Sequence, residues 1–477
     1  MPANAHALPA PLACILGGLA LALAGAAHAE ETRIPQAAID TAVELRDQAL
    51  AENPGYSIVE ELTTVIGARM PGTEADGRAV EWAKAKFEAL GFDRVSTVPV
   101  TFQVWLRGEE SAEVVGTVPQ PLQITALGGS VATPADGLEA EVVEFPNLQA
   151  LTEAPDGSLD GKIAYISNRM QRFRDGRGYG PAVAARSTGA VEAARKGAIG
   201  LLIRSISTAE HRFPHTGQMR YADDVERIPA AALANPDADQ LSRLVARGEP
   251  VSVRLVLETM SPGEYTSHNV IGDIIGRESP EEMVVIGAHL DSWDLGTGAI
   301  DDGAGIGITL AAGHLVAQLP ERPRRTVRVI AFAAEEIGLL GARAYAEDQA
   351  AHVRDHVIAA ESDFGAGRIY ALRSSAGDEA WGAIEQIGEV LAPLGIETER
   401  DAGGPGPDIV PLATRGVTWA QLAQDGTEYF DYHHTADDTL DKVDADDIDQ
   451  QVAAYAAFAW LAAEAEGDFG SAPPSAD

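Results

Sequence analysis

Cysteine is almost missing: Cys14 stands alone in a chain of 477 residues. A single thiol excludes a disulfide framework and a thiolate metal site. Lysine is scarce as well, with 5 against 30 arginines. Positive charge is short overall, since 35 Lys and Arg face 72 Asp and Glu, a formal net charge of −37. Nucleic-acid binding needs a basic face for the phosphates, so this acidity argues against such a partner. It fits a very soluble protein whose carboxylates can hold cations. Long apolar runs are also missing outside residues 12–27, which excludes a polytopic membrane protein. What is present is ordinary for globular chains, 45% hydrophobic and 22% charged residues. The length allows roughly two to four domains.

The run Leu12–Ala27 ends in Ala27-His28-Ala29, a small-x-small cleavage pattern followed by Glu30. We read residues 1–29 as a signal peptide, too short for a membrane span. No Asp, Glu, Lys or Arg lies in it, so residues 30–477 keep all the charge and lose the cysteine. The expected location is secreted or periplasmic in a bacterium, with no stable membrane association after cleavage.

Apolar periodicity predicts helices over 36–50, 56–66 and Ala75–Leu90, the last stopped by Gly91. Val95–Leu106 and Ala112–Val118 alternate like two strands. Residues 121–255 change character, with short strands at Leu122–Leu127, Glu141–Phe145, Lys162–Ser167 and Ile199–Ile203. A helix is expected from Thr188 to Lys196, capped by Ser187. This segment reads as a β-rich insert. It divides a larger α/β domain into a first segment, 30–120, and a second, 256–466. Residues 467–477 read as a disordered tail. The second segment holds four apolar runs, Met283–Ile286, Thr326–Ala333, Val357–Ala360 and Val417–Leu422. Such runs fit strands buried on both faces of a mostly parallel sheet flanked by helices. Ligands bind outside the carboxyl ends of such strands.

The residues just after those runs are therefore the informative ones. They are His289 and Asp291, then Glu335 and Glu336, then Asp363, then His433 and His434. Asp301 and Asp302 lie between the first two runs, before a Gly-rich helix start at 303–307. Singly, each reads as a solvated or packed residue. Together they bring His and carboxylate ligands to one sheet edge, a donor set that suits metal without thiolates. Two His and three carboxylates suit two zinc ions sharing one carboxylate and activating water. Of two adjacent glutamates, one can bind metal while the other takes a proton. Asp291, two residues after His289, is placed to orient its imidazole. Gly303, Gly305 and Gly307 only superficially resemble a nucleotide loop, since no strand ends immediately before them.

His289-x-Asp291, Asp301, Glu335-Glu336, Asp363 and His434-Thr435-x-x-Asp438-Thr439 resemble, in order and spacing, the M28 family of di-zinc metallopeptidases. Trp105-x-Arg107-Gly108-Glu109-Glu110-Ser111-Ala112, Gly189–Arg195, Arg212–Gly217 and His289–Asp302 are similar to its carboxypeptidase Q branch. The resemblance implies Asp301 bridging two Zn²⁺, with His289 and Asp363 completing one site and Glu336 and His434 the other. Glu335 would be the general base, and the Asp301–Asp302 bond would be cis. The insert would resemble a protease-associated domain. The implied activity is hydrolysis of dipeptides or short peptides, releasing the amino-terminal residue, by a homodimer. Manganese or cobalt fits the same donors. Two other functions share the fold: a single-zinc glutaminyl cyclase and a non-catalytic binding ectodomain. For substrate contact the expectations are Arg212 and His215, which could meet a free carboxylate, together with Asp408 and His433. The oxyanion partner is open between His433, Tyr429 and Tyr432.

Overall fold

The computed structural model describes residues 31–117 and 119–470. The expected signal peptide and residues 471–477 lie outside the described residues.

Fourteen strands form one continuous run of sheet. They are β1 (Arg94–Val115), β2 (Gln120–Leu122), β3 (Ile124–Ala126), β4 (Leu138–Phe145), β5 (Ile163–Ile166), β6 (Gly200–Arg204) and β7 (Ala230–Leu233), then β8 (Ser252–Ile274), β9 (Ser279–His289), β10 (Arg325–Phe332), β11 (His356–Glu361), β12 (Ile369–Ser374), β13 (Glu397–Glu399) and β14 (Trp419–Gln424). The spatial order is β13-β12-β14-β11-β9-β10-β8-β4-β5-β6-β7-β3, with β1 on β8 and β2 on β1.

The four apolar runs form β9, β10, β11 and β14, which are adjacent and parallel. Every residue of β10 is buried, as expected where helices cover both faces. One cover is the helix Ala304–Ala317, buried along almost its whole length, and it packs against the helix Ala445–Glu464. The second helix is rich in alanine, which lets the two backbones approach. Each fully buried Leu or Ile here contributes about 1.5–3 kcal/mol. Arg328 sits within the β10 run, where its guanidinium pairs with Asp273 of β8 at 2.7 Å. The sheet is mixed, because β8 runs antiparallel to β10 and β12 runs antiparallel to β14.

Four expectations change. The predicted strand pair Val95–Leu106 and Ala112–Val118 is one strand, β1. The polar stretch between them is absorbed by register shifts after Val104 and Arg107. The helix expected at Thr188–Lys196 starts earlier and spans Tyr179–Arg195. Pro181 lies in its first turn, where a missing N–H costs nothing. Ser187 is interior rather than a cap, its hydroxyl donating to the Val183 carbonyl. The predicted tail is held as far as Gly470, because Phe469 is fully buried and Arg325 donates to the Gly467 carbonyl. The domain boundary placed at 255 falls inside β8. β1 and β8 form an antiparallel ribbon from the central sheet to a second, smaller sheet of β3 to β7. The smaller sheet has an apolar cluster of its own, including Val142, Tyr165, Leu202 and Leu241.

Candidate metal centre

Strand ends deliver the site. His289 ends β9, Glu335 and Glu336 follow β10, Asp363 follows β11, and His433 and His434 follow the short turn after β14. Ala334 and His434 take left-handed backbone, φ 55° and 61°, which turns the chain sharply at the cluster. Asp301 comes from the loop before the central helix, and its bond to Asp302 is cis. Gly305 lets that helix approach, since a Cβ there would stand 2.0 Å from the Ser362 carbonyl oxygen.

Asp301 sits between two groups. Its Oδ1 is 3.1 Å from His289 Nε2, and that nitrogen is 3.5 Å from Asp363 Oδ1. Its Oδ2 is 3.2 Å from His434 Nε2, which is 2.9 Å from Glu336 Oε2. His433 stacks on His434, ring centres 3.5 Å apart, with Nε2 3.6 Å from Asp301 Oδ2. Asp302 offers a carboxylate oxygen to a group with His289 and Asp363. It accepts the His289 N–H through Oδ2 and the Gly305 N–H through Oδ1.

Burial and crowding set the electrostatics. Burial would raise Asp301, but hydrogen bonds from His289 and His434 hold it well below the usual carboxylate range. Glu336 is pushed up to about 7, chiefly by burial and against the pull of His434. Glu335 is driven well up by burial, with Asp363 and Glu336 adding to it. Burial also raises Asp363. Glu336 Oε1 is buried without a hydrogen-bond partner in the protein. Crowded acids and free donor atoms within 4.8 Å of one another are what divalent cations relieve. The residues present therefore fit zinc, and the triads whose donor atoms converge are Asp301, His433 and His434; His289, Asp301 and Glu336; and His289, Asp302 and Asp363.

The site opens into a cleft of about 610 Å³. Its lining includes Glu335, Glu336, Asp363, Tyr429 and His433 together with Tyr179, Arg186 and Arg220. Tyr432 does not line it.

Several expected contacts differ. The Asp291 carboxylate stands 3.8 Å from His289 Nδ1, beyond hydrogen-bond distance, and the Asp291 carbonyl oxygen is nearer to that nitrogen at 3.0 Å. Arg212 is outside the cleft lining, paired through two bonds of 2.8 and 2.6 Å to Asp237. His215 is buried rather than in the lining. Its loop instead braces the site, as the Thr216 N–H donates to the His434 carbonyl. Asp408 is buried and not in the lining, its N–H donating to Glu361 at 2.9 Å. Of the four expected substrate residues, only His433 reaches the cleft.

Other positioning residues were not anticipated. Arg69 is fully buried and donates to the carbonyls of Leu290, Thr297 and Gly298, which fixes the loop carrying Asp301. Asp438 accepts the N–H groups of Ala299 and Ile300, both at 2.7 Å. It was visible as part of the last sequence motif, but Arg69 had no signal at all. Arg107, in the first of the quoted branch motifs, joins β1 to Asp294 and Thr216.

Residues 269–459 match the model of Peptidase family M28. Carboxypeptidase Q of Bos taurus is 33% identical over 417 residues, 87% of this chain and 86% of that protein. The Homo sapiens protein is 31% identical over 416 residues, with the same coverage of 87% and 86%. A crystal structure of a Peptidase M28 precursor from Shewanella amazonensis SB2B is 48% identical, with TM-score 0.90, covering 92% of this chain and all of that one. A zinc aminopeptidase from Bacillus subtilis, 20% identical with TM-score 0.62, covers 84% of this chain and 93% of its own and shares the fold.

Proposed function

Because the chain belongs to peptidase family M28 and is a zinc-dependent metallopeptidase, we propose that it hydrolyses dipeptides or short peptides at a two-zinc centre, releasing the amino-terminal residue. The observation supporting this is the Asp301 carboxylate, which turns one oxygen toward His289 and the other toward His434. In this reading His289, Asp301 and Asp363 would hold one ion and Asp301, Glu336 and His434 the other. Zinc bound there would supply Lewis acidity for activating water near neutral pH and for polarising the scissile carbonyl. Glu335 faces the cleft and takes the proton from the attacking water. Burial and neighbouring acids raise its proton affinity, which suits that step. It then delivers the proton to the leaving amine. Burial keeps the Tyr429 phenol protonated, so it can donate to the oxygen that develops negative charge. Asp291 supports the site through the Glu335 and Glu336 backbone.

Residues 121–255 act in this reading as a protease-associated-like insert that walls the cleft. We also propose export, on the apolar run 12–27 and its Ala-His-Ala end, and a homodimer. Amino-terminal sequencing of the mature protein and light scattering test these two.

The deciding experiment is turnover of a dipeptide panel by zinc-loaded protein and by Glu335→Gln. The variant should lose about 10²–10⁴-fold in kcat with its zinc retained. An inactive wild type, or a fully active variant, rejects the reading.

A further inference from the structure

The cleft lining carries charge of both signs: the acidic cluster shares it with Arg186, from the helix Tyr179–Arg195, and with Arg220, from the loop beyond that helix. Arg186 is only 7% exposed. It makes no ion pair among the described residues. Its Nη2 donates to the Tyr179 hydroxyl at 2.6 Å, Nη1 is 3.4 Å from the Thr216 carbonyl oxygen, and Nε has no partner. Gly217 makes room for it: φ is 135°, and a Cβ there would stand 2.2 Å from Arg186 Nη1. A buried charge without a counter-ion is costly, so this guanidinium is short of an anion. Arg220 is exposed, lines the same cleft and also makes no ion pair among the described residues.

The other arginines near this region are already satisfied. Arg373 lines the far part of the cleft and pairs with Glu399 at 2.7 Å. Arg212 is held by Asp237. Tyr179 links Arg186 to the reacting side, since its ring meets that of His433 edge-on with centres 5.7 Å apart. An anion at Arg186 would therefore lie close to the metal cluster, a short step along a peptide of about 3.5 Å per residue.

We propose that Arg186, assisted by Arg220, receives the free C-terminal carboxylate of the substrate. This rests on the metallopeptidase reading and sets its substrate class: peptides whose chain ends just past the scissile bond. A guanidinium offers paired N–H donors that match a carboxylate, and an amidated terminus gives it no charge to pair with.

The test compares Ala-Leu with Ala-leucinamide. Wild type should show a lower KM for the free acid, and equal KM values would overturn the proposal. Arg186→Gln should raise the Ala-Leu KM on the order of 10- to 100-fold, with kcat and the amide's KM nearly unchanged. Equal losses on both substrates would show a structural role and overturn it. Arg220→Ala changes an exposed residue, and should raise KM less and for the acid alone. Calorimetry of both ligands on Glu335→Gln protein reads binding without turnover. An acid preference there, beside a wild type that cleaves neither ligand, would reject the peptidase reading and keep the carboxylate site. Cleavage of both ligands with equal affinity would do the reverse.

Discussion

Asp291 holds the backbone of Glu335, its Oδ1 accepting the Glu335 N–H at 3.0 Å. Oδ2 takes the next N–H, of Glu336, at 3.2 Å. One buried carboxylate thus fixes the pair of glutamates that face the cluster. In Asp291→Asn the amide nitrogen would confront one of those N–H donors. We expect kcat to fall about 10- to 100-fold with zinc content unchanged. Wild-type kcat in that variant, beside normal metal analysis, would show the clamp to be dispensable.

Metal stoichiometry separates the roles of the cluster. Wild type should bind two zinc ions per chain. Asp301→Asn weakens both groups at once, while Glu336→Gln disturbs only the one with His434. The second variant should therefore keep about one tight zinc, and the first should lose both under mild chelation. A wild type saturating at one ion would favour a single-zinc reaction such as glutaminyl cyclisation.

Asp273 and Arg328 form a buried pair between β8 and β10, with Asp273 fully buried. Removing the carboxylate leaves a charged guanidinium in the sheet. Asp273→Asn should cost about 3–5 kcal/mol of unfolding free energy. Urea denaturation would measure it, and a loss near zero would mean that Arg328 finds another partner.

His356 carries a pH signature well away from the metal cluster. Its Nε2 accepts the Tyr345 hydroxyl at 2.8 Å, and Nδ1 faces the His352 carbonyl at 3.1 Å. Burial draws it down to about 4 from an ordinary 6.5. As pH falls, the unfolded chain takes this proton near 6.5 and the folded chain only near 4. The contribution is complete above the upper value and drains away toward the lower one, about 3 kcal/mol in all. His356→Gln should flatten the stability profile between those pH values by that amount. Parallel wild-type and variant profiles would refute the assignment.

The central sheet and its chemistry were legible for one physical reason. Strands buried on both faces read as apolar runs, and the reactive residues follow directly where β9, β10 and β11 end. His289, Glu336 and Asp363 are brought together in this way, while Asp301 arrives from the loop before the central helix and His434 from beyond the turn after β14. Arg69 could not be read, because it acts on carbonyls more than two hundred residues away. Arg212 and Arg186 were indistinguishable in sequence. Only the fold gives Asp237 to one and leaves the other without an anion. Asp408 was expected to meet substrate, yet its carboxylate is buried, with its N–H and the adjoining Gly406 packed onto Glu361.

The β1–β8 ribbon runs unbroken from the central sheet into the smaller one, and it bears on how the cleft measures its substrate. The segment between these two strands is also tied down by Arg107 to Asp294, by Arg172 to Asp431 and by Thr216 to His434. In the proposed peptidase, those ties would make the width of the cleft a gauge set when the sheet forms, so that an over-long peptide would be refused by geometry at first contact.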